Sequence, residues 1–586
     1  MSLGDVALQH ASVLVDELVA RGMRYACLSP GSRSTPLALA LERDQRVQTF
    51  IHLDERSSAF FALGIAKVTR QPVGVACTSG TAAAEFFPAV VEASQSRIQL
   101  VLMTADRPPR VRGTGANQTI DQTGLYGSYA AFAELPLPLP NGPVAGGLIR
   151  SLVGVAFDHA PTDRPVHLNV PFDEPLMPEG EVIGVDEGQV QTAQERALDD
   201  GPGEEARSAA AETVAGAIEG TNGVIVIGSA LGGPLRQVLS LADALGWPVI
   251  AEPLSDCRVP PSAGGTTVLA AGQTLIGARA WVGSHTPQTV MQIGATPTTR
   301  ATQALVAAAE HRIVVDRRHP DPDPEGNATI RLREDPVALA TALLERGTPL
   351  QPADPAWLAY WRTADLAARV AMDGVLDAAS PPFEPRIARD LVAALPAGAT
   401  LFVGSSTPVR DLDLAMAPRA DVRVLANRGA SGIDGNVSTV LGAAAVAPDT
   451  GSPVYALMGD LTFLHDVGPF LWLARIGIDA VIIVVDNGGG GIFGLLAQRD
   501  LPEFDRLFKT PHDLSLRNIC EAADVAYQRV EWAEEFVPSI HEAERMGGVV
   551  VVHVPIDGDH AIRRRKMLTA AVVEALRTAG PPARER

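Results

Sequence analysis

Two oxygen-bearing side chains stand at matching places in the C-terminal third of the chain. Asp460 lies in Met458-Gly-Asp-Leu-Thr-Phe463 and Asn487 in Asn487-Gly-Gly-Gly-Gly-Ile-Phe493, 27 positions apart. Each follows an apolar run of strand length, over 453–458 and 480–485, and each opens a loop. Neighbouring strands of a parallel sheet present their C-terminal ends side by side, and ligands settle in the crevice beyond them. The Asp460 carboxylate, the Asn487 amide oxygen and a backbone carbonyl at Gly489 could therefore share one hard cation. Magnesium takes a few such oxygens and completes its octahedron with phosphate oxygens and water. The amides after Asp460 open a helix, a favourable seat for a diphosphate. Separately, Gly-Asp ends many strands and a glycine run makes an ordinary flexible loop. Their order and spacing together point to a metal-anchored phosphate.

The elements that would hold these residues alternate between strand and helix along the whole chain. A first block, to about residue 175, has a helix over 6–19 and strands over 25–28, 47–53, 72–78 and 98–104. Its strand ends carry Ser29-Pro-Gly-Ser-Arg-Ser-Thr-Pro36, Asp54-Glu55 and Ser79-Gly-Thr81. An acidic stretch over 179–208 reads as a linker. The second block places strands over 223–227, 248–251, 280–282 and 312–316. A Pro-containing connector over 349–385 includes a helix near 357–375. The third block has strands over 400–403, 422–426, 453–458, 480–485 and 548–554. This alternation predicts three doubly wound α/β domains with mostly parallel sheets, at 1–185, 205–345 and 380–586. With 586 residues, the chain exceeds one core at a prior of roughly 150 residues per domain.

Composition narrows the partners. The formal charge is −20, which argues against nucleic acid or an anionic membrane surface. An enzyme with anionic substrates would then concentrate positive charge inside a pocket. Lys67, Lys509 and Lys566 are the only lysines; all other basic residues are arginine. The four cysteines, Cys27, Cys77, Cys257 and Cys520, form no CxxC pair, so neither zinc nor a disulfide framework is expected. No apolar stretch reaches the ~18 residues of a membrane span, and no signal peptide is visible at the N-terminus. These features predict a soluble, cytoplasmic protein.

Gly-Asp-x followed some 25–30 residues later by Asn resembles the cofactor fingerprint of the thiamine-diphosphate enzymes. Leu461 stands where Gly is usual in that family and Gly488 where a second Asn is common; neither change removes a metal ligand. The resemblance implies a pyrimidine-binding domain, a central domain and a diphosphate-binding domain, in the order of the three blocks. It implies thiamine diphosphate held with Mg2+ (or Mn2+) on Asp460, Asn487 and Gly489, with Ser431, Ile433, Leu461, Thr462, Ile492 and Phe493 around the cofactor. The cofactor would lie between the first domain of one subunit and the third of another. A homodimer is then the minimum and a homotetramer the expectation. Glu55 matches the family's glutamate at the end of the second strand, whose carboxylate bonds pyrimidine N1′ and favours the imino tautomer. An isolated first-turn Glu could instead serve the helix dipole.

Within that family the longer segments resemble the 2-succinyl-5-enolpyruvyl-6-hydroxy-3-cyclohexene-1-carboxylate (SEPHCHC) synthases. They are Ser29–Pro36, Asp54-Glu-Arg-Ser-Ser-Ala-Phe60, Thr104-Ala-Asp-Arg-Pro-Pro109, Gly115-Ala-Asn-Gln118, Gly404-Ser-Ser-Thr-Pro-Val-Arg410, Asn427-Arg-Gly-Ala-Ser-Gly-Ile-Asp-Gly435 and Gly491-Ile-Phe-Gly-Leu-Leu496. The resemblance implies decarboxylation of 2-oxoglutarate and conjugate addition of the succinyl unit to isochorismate, a step of menaquinone biosynthesis. Both substrates are dianions, and an unpaired carboxylate in a dry site would cost several kcal/mol or more. Arginine pairs with carboxylates through two parallel hydrogen bonds, and Arg33, Arg107, Arg410 and Arg428 all fall in loops at strand ends. By the resemblance, Ser32, Arg33, Arg107, Asn117 and Gln118 hold isochorismate, with Arg300 where the family often has lysine. Ser406 and Arg410 hold the distal carboxylate of the succinyl unit, Arg428 stands near the reacting intermediate, and Phe493 and Leu496 line the substrate side. Glu55, Arg410 and Arg428 form the catalytic set.

Two other functions fit parts of this pattern. An acetolactate-synthase-like enzyme or simple 2-oxo acid decarboxylase would share Glu55 and the metal motif but would not need the arginine cluster. A non-catalytic nucleotide-binding α/β protein would instead show GxGxxG between a strand and a helix, with an acidic residue downstream. That pattern is absent from the sequence.

Overall fold

The structure, a computed structural model, describes residues 1–140, 142–160, 164–180, 203–229, 235–260, 268–318, 323, 326–473 and 477–579. Three sheets divide them. The first contains β1 (Tyr25–Leu28), β2 (Gln48–Ile51), β3 (Val73–Cys77), β4 (Leu100–Asp106), β5 (Ala131–Glu134) and β6 (Val166–Pro171) in the order β2-β1-β3-β4-β6-β5. The second contains β7 (Gly223–Ile227), β8 (Val249–Ala251), β9 (Thr289–Ile293), β10 (His311–Val315) and β11 (Ile330–Leu332) in the order β11-β10-β9-β7-β8. The third contains β12 (Ala399–Val403), β13 (Val422–Leu425), β14 (Val454–Gly459), β15 (Ala480–Asp486), β16 (Ala526–Arg529) and β17 (Val549–Pro555) in the order β13-β12-β14-β15-β17-β16. Every strand pair among the described residues is parallel. β3, β4 and β6 are buried along their whole length, as strands covered by helices on both faces must be.

The first and third sheets share one strand order, although no internal repeat is visible in the sequence. In each, the chain reverses its direction of travel across the sheet between the first and third strands. That reversal opens a crevice at the C-terminal strand ends. The two domains meet through the Glu55–Thr69 and Asn436–Ala445 helices. A Cβ on Gly64 would lie 2.0 Å from the Thr439 carbonyl oxygen, and one on Gly442 would lie 2.0 Å from that of Phe61. Backbones this close leave room only for hydrogen at those positions.

Two expectations need revision. Residues 280–282 are not a strand; they lie in the Arg279–Ser284 helix, where Trp281 stacks on His285 at 4.4 Å and meets Trp361 edge-on at 5.0 Å. An i,i+4 aromatic pair is a helical contact, and the strand of this region is the fully buried β9. The linker expected over 179–208 falls mostly outside the described residues, and its end belongs to the Glu204–Ile218 helix. The connector helix spans Pro355–Asp377, anchored by Trp357 Nε1 donating to Gly223 O at 2.8 Å. All four thiols are buried and free. No helix among the described residues is long and apolar enough to cross a membrane.

Candidate active site

In the third sheet the loops after β12 and β14 flank the crevice. Gly459 pairs with Val485 across β14 and β15, which sets Asp460 opposite Asp486 and one residue short of Asn487. Asp460 opens the Asp460–His465 helix. Its Oδ1 accepts the Leu461 amide at 2.8 Å, and its Oδ2 accepts the Gly489 amide at 2.6 Å. Gly489 has φ +128°, and a Cβ there would lie 2.1 Å from the Lys509 carbonyl oxygen, so the turn requires glycine. The Gly489 carbonyl accepts the Gly491 amide at 2.8 Å. Asn487 lies against Gly491, where a Cβ would come within 2.4 Å of Asn487 Nδ2.

The donor set fits a hard divalent cation. Asn487 Oδ1 is a buried acceptor with no hydrogen-bond partner among the described residues. Asp460 is 2% exposed, and burial, followed by the neighbouring Asp486 carboxylate, pushes its pKa upward. Asp486 is held low: against the upward push of burial, it accepts from His553 Nε2 at 2.9 Å and the Gly488 amide at 2.9 Å. Two neighbouring carboxylates, with an orphaned amide oxygen on the residue after Asp486, suit a cation better than they suit each other. A cavity of about 180 Å³ opens beside Asn487, lined also by Thr407, Gly491, Leu495 and Arg565.

Other residues singled out in the sequence stand on the same rim. Ser406, with φ +75°, precedes the Thr407–Ala415 helix, and Arg410 NH1 donates back to the Ser406 carbonyl at 2.5 Å. Arg428 follows β13 half-buried; burial and the Arg410 charge lower its pKa, while Glu252 and Glu92 oppose that. Ser431, at φ +61°, and Ile433 are exposed beyond it. Thr462 is buried and Leu461 half-buried in the first turn after Asp460. Ile492 and Phe493 are half-buried in the Gly491–Leu495 turn, Phe493 is 5.8 Å from the Phe508 ring, and Leu496 is exposed.

The first sheet's C-terminal rim gathers a second set. Asp54 caps the Glu55–Thr69 helix, accepting from the Arg56 and Ser57 amides at 2.9 and 3.4 Å. Asp54 therefore takes the capping role, and the half-buried Glu55 carboxylate has no partner beyond its own backbone amide among the described residues. Burial, then the Asp54 and Glu85 charges, raise its pKa. Arg33 is 5% exposed and Arg107 half-buried; their guanidinium groups converge on Glu174 Oε1 at 2.8 and 3.8 Å. The Nε of each is buried with no partner among the described residues. Gln118, at φ +53°, is tied to Ser79 by two hydrogen bonds of 3.0 and 3.1 Å. Ser32 and Asn117 are exposed nearby in sequence, and Arg300 is exposed at the first position of the Arg300–Ala308 helix in the second domain.

Several residues of the site escaped the sequence reading. His512 Nε2 reaches Asp460 Oδ2 at 3.2 Å, and ligand atoms of Asp460, Asp486 and His512 lie within 4.8 Å of one another. Asp486 is adjacent to Asn487 and could have been noticed, whereas His512 comes from a loop without periodicity. Glu174, Glu252 and Glu92 are single acids in unremarkable sequence.

Comparison with known proteins places the chain among them by sequence. The N-terminal TPP binding domain of the thiamine pyrophosphate enzymes matches residues 8–125, and the C-terminal TPP binding domain matches residues 414–554. Curated relatives named 2-succinyl-5-enolpyruvyl-6-hydroxy-3-cyclohexene-1-carboxylate synthase match nearly end to end. The protein of Thermobifida fusca (strain YX) is 41% identical over 97% of this chain and 99% of its own. That of Halobacterium salinarum (strain ATCC 29341 / DSM 671 / R1) is 40% identical over 96% and 97%. That of Geobacillus thermodenitrificans (strain NG80-2) is 37% identical over 97% and 96%.

Proposed function

This chain belongs to the SEPHCHC synthase family of thiamine-diphosphate enzymes, and we propose that the two rims described above perform that family's reaction. The reaction joins the succinyl unit left by decarboxylation of 2-oxoglutarate to isochorismate, with thiamine diphosphate and magnesium as cofactors. What thiamine diphosphate supplies when bound is an electron sink for the pair released as CO2 leaves.

The residues divide the remaining work. Asp460, Asn487 and the Gly489 carbonyl would hold the magnesium, and the amides that open the Asp460–His465 helix would face the diphosphate. Glu55 would hold a proton at pyrimidine N1′; its raised pKa and the lack of a side-chain partner among the described residues suit that task. Ser406 and Arg410 would orient the distal carboxylate of the succinyl unit. Ser32, Arg33, Arg107, Asn117 and Gln118 would bind isochorismate, with Arg300 approaching from the second domain. Arg428, beside Arg410 and opposed by Glu252 and Glu92, would stabilise negative charge where the bond forms. The observation that carries this reading is a Glu55 carboxylate on one rim and an Asn487 oxygen on the other, each without a side-chain partner among the described residues.

Each cofactor would lie between the first domain (1–185) of one copy and the third (380–586) of another, with the central domain at 205–345. The working unit is then at least a homodimer, taken here as a cytoplasmic homotetramer. The deciding experiment measures CO2 release with 2-oxoglutarate plus isochorismate, and separately with pyruvate, with and without thiamine diphosphate. Product should form only from the first pair and only with the coenzyme. Turnover of pyruvate instead would favour the decarboxylase alternative.

The arginine assignment has its own test. Arg33→Met should raise KM for isochorismate by about 10- to 100-fold, the equivalent of roughly 1.5–3 kcal/mol for a charged hydrogen bond, and leave that for 2-oxoglutarate within about threefold. Arg410→Met should do the reverse. Steady-state kinetics with each substrate varied in turn decides it, and equal effects on both constants would reject the assignment.

A further inference from the structure

The loop that carries Arg428 is not held by its own domain alone. Glu92, 3% exposed on the Phe87–Ser96 helix of the first domain, accepts the Gly429 amide on Oε1 at 3.0 Å and the Ala430 amide on Oε2 at 2.7 Å. Those two donors follow Arg428 directly, so one carboxylate fixes both peptide planes on its C-terminal side. On the N-terminal side, Lys67 Nζ donates to the Ala426 carbonyl at 2.9 Å. Lys67, 7% exposed, also lies 3.4 Å from Ser96 Oγ and 3.5 Å from Glu92 Oε1, and Ser96 Oγ donates to that same oxygen at 2.5 Å. A Cβ on Gly429 would come within 2.7 Å of the Glu92 carbonyl oxygen and the Ser96 nitrogen, so the loop is pressed against the helix backbone itself.

A buried ion pair is a poor device for stability alone. Desolvation of the two charges offsets much of their attraction, and an apolar pair of equal volume often serves as well. What a carboxylate bonded to two successive amides does provide is a fixed backbone geometry. The choice of lysine points the same way. All but three of the chain's basic residues are arginine, yet this enclosed corner holds a compact ammonium that reaches a carbonyl, a hydroxyl and a carboxylate in three directions. A guanidinium spreads its donors in one plane, whereas an ammonium directs three from a single point.

We infer that Glu92, supported by Lys67, is a positioning residue for Arg428: the first domain sets the guanidinium through the backbone of residues 426–430. The inference rests on the proposed role of Arg428 at the reacting centre. Glu92 touches no substrate; glutamine in its place would turn an amide N–H toward one of the two backbone donors and release that peptide plane. A displacement of about 1 Å at a catalytic group can cost on the order of 100-fold in rate.

The test uses the full-length enzyme loaded with thiamine diphosphate and magnesium. Glu92→Gln should lower kcat by about 10- to 100-fold, with KM for both substrates and the calorimetric Kd for thiamine diphosphate within about threefold of the parent. Glutamine leaves Lys67 charged and buried without its counter-ion, so the double variant Lys67→Met/Glu92→Gln, which removes both charges, stands in if the single variant does not fold; the same fall in kcat is expected of it. The decisive readout is coupling. In an Arg428→Ala background, itself slowed at least as much, adding Glu92→Gln should change kcat by less than about threefold. A parental kcat in the Glu92 variants, or the same fall again in the Arg428→Ala background, would overturn the inference while leaving the role of Arg428 intact. A parental kcat in Arg428→Ala alone would instead remove the functional reading of Arg428, and this inference with it.

Discussion

Glu55→Gln should bind thiamine diphosphate within about threefold of the parent and turn over about 100- to 10,000-fold more slowly, the span general acid–base groups contribute. Glutamine keeps the length and the acceptor oxygen of glutamate but cannot hold a proton at pyrimidine N1′. The variant should not be a folding casualty. Asp54, not Glu55, caps the Glu55–Thr69 helix, so no cap is lost. The sign of the pKa shift agrees. A carboxyl whose pKa in the folded chain lies above its unfolded value binds its proton more tightly when folded. Its favourable contribution is therefore present at low pH and fades as pH rises through the raised pKa. Above that raised pKa the ionised carboxylate is less favourable in the folded chain than in the unfolded one, a cost the neutral glutamine does not carry. Glu55→Gln should thus melt at or above the parent at pH 7.5 and lose that advantage below the ordinary carboxyl range. Calorimetric titration, scanning calorimetry at two pH values and steady-state kinetics check all three parts. Undiminished kcat would end the assignment.

The parts of the fold legible in the sequence were those whose pattern has one physical solution. Buried parallel strands read as short apolar runs between turn residues, and the ends of β1, β7 and β12 fell within a residue of expectation. β5 and β6 were missed because 131–134 is only partly buried and 166–171 interrupts its apolar run with His167 and Asn169, whose Nε2 and Oδ1 meet Thr104 Oγ1 inside, with Gln122 Nε2 donating to Asn169 Oδ1 as well. Ala280-Trp-Val282 misled because three apolar residues carry no period; the stacking of Trp281 on His285 decides for a helix, and that contact is invisible without coordinates.

The site divides along similar lines. Asp460 and Asn487 could be paired in advance because adjacent parallel strands fix where their C-terminal ends fall, and β14 and β15 are adjacent. Glu55 was singled out by the family resemblance; that no described residue competes for its carboxylate is a finding of the structure. Glu174, which pairs with both Arg33 and Arg107, follows β6, a strand the sequence reading missed, while Glu92, which holds the Arg428 loop, lies on a helix of another domain whose approach depends on helix packing. One compositional trace of the latter was present: Lys67 is a lysine in a chain built almost entirely with arginine. Read beside the two-domain packing, that exception marks a corner where three separate acceptors meet.

The second large effect belongs to Asp460. Asp460→Ala should raise the Kd for thiamine diphosphate in the presence of magnesium by roughly 100-fold or more, the equivalent of about 2.7 kcal/mol, and abolish the dependence of binding on the metal. Two accounts of Asp460 compete, and they separate cleanly. As a turn-closing carboxylate, it would matter through the Leu461 and Gly489 amides it accepts; its loss would lower the melting temperature with or without ligands and leave the metal dependence intact. As a cation ligand, it stands beside Asp486 in a cluster of acids whose mutual repulsion a bound cation relieves. Loaded parent should then gain about 2.7 kcal/mol of stability at ligand concentrations 100-fold above its Kd, and Asp460→Ala should gain only about 0.4 kcal/mol or less at the same concentrations. Gly489→Ala provides the control for geometry. Its Cβ would collide with the Lys509 carbonyl and displace the turn without removing any charge, so it should weaken coenzyme binding yet preserve a response to magnesium. If Asp460→Ala kept that response and Gly489→Ala lost it, the metal would be held by the glycine turn and not by the carboxylate.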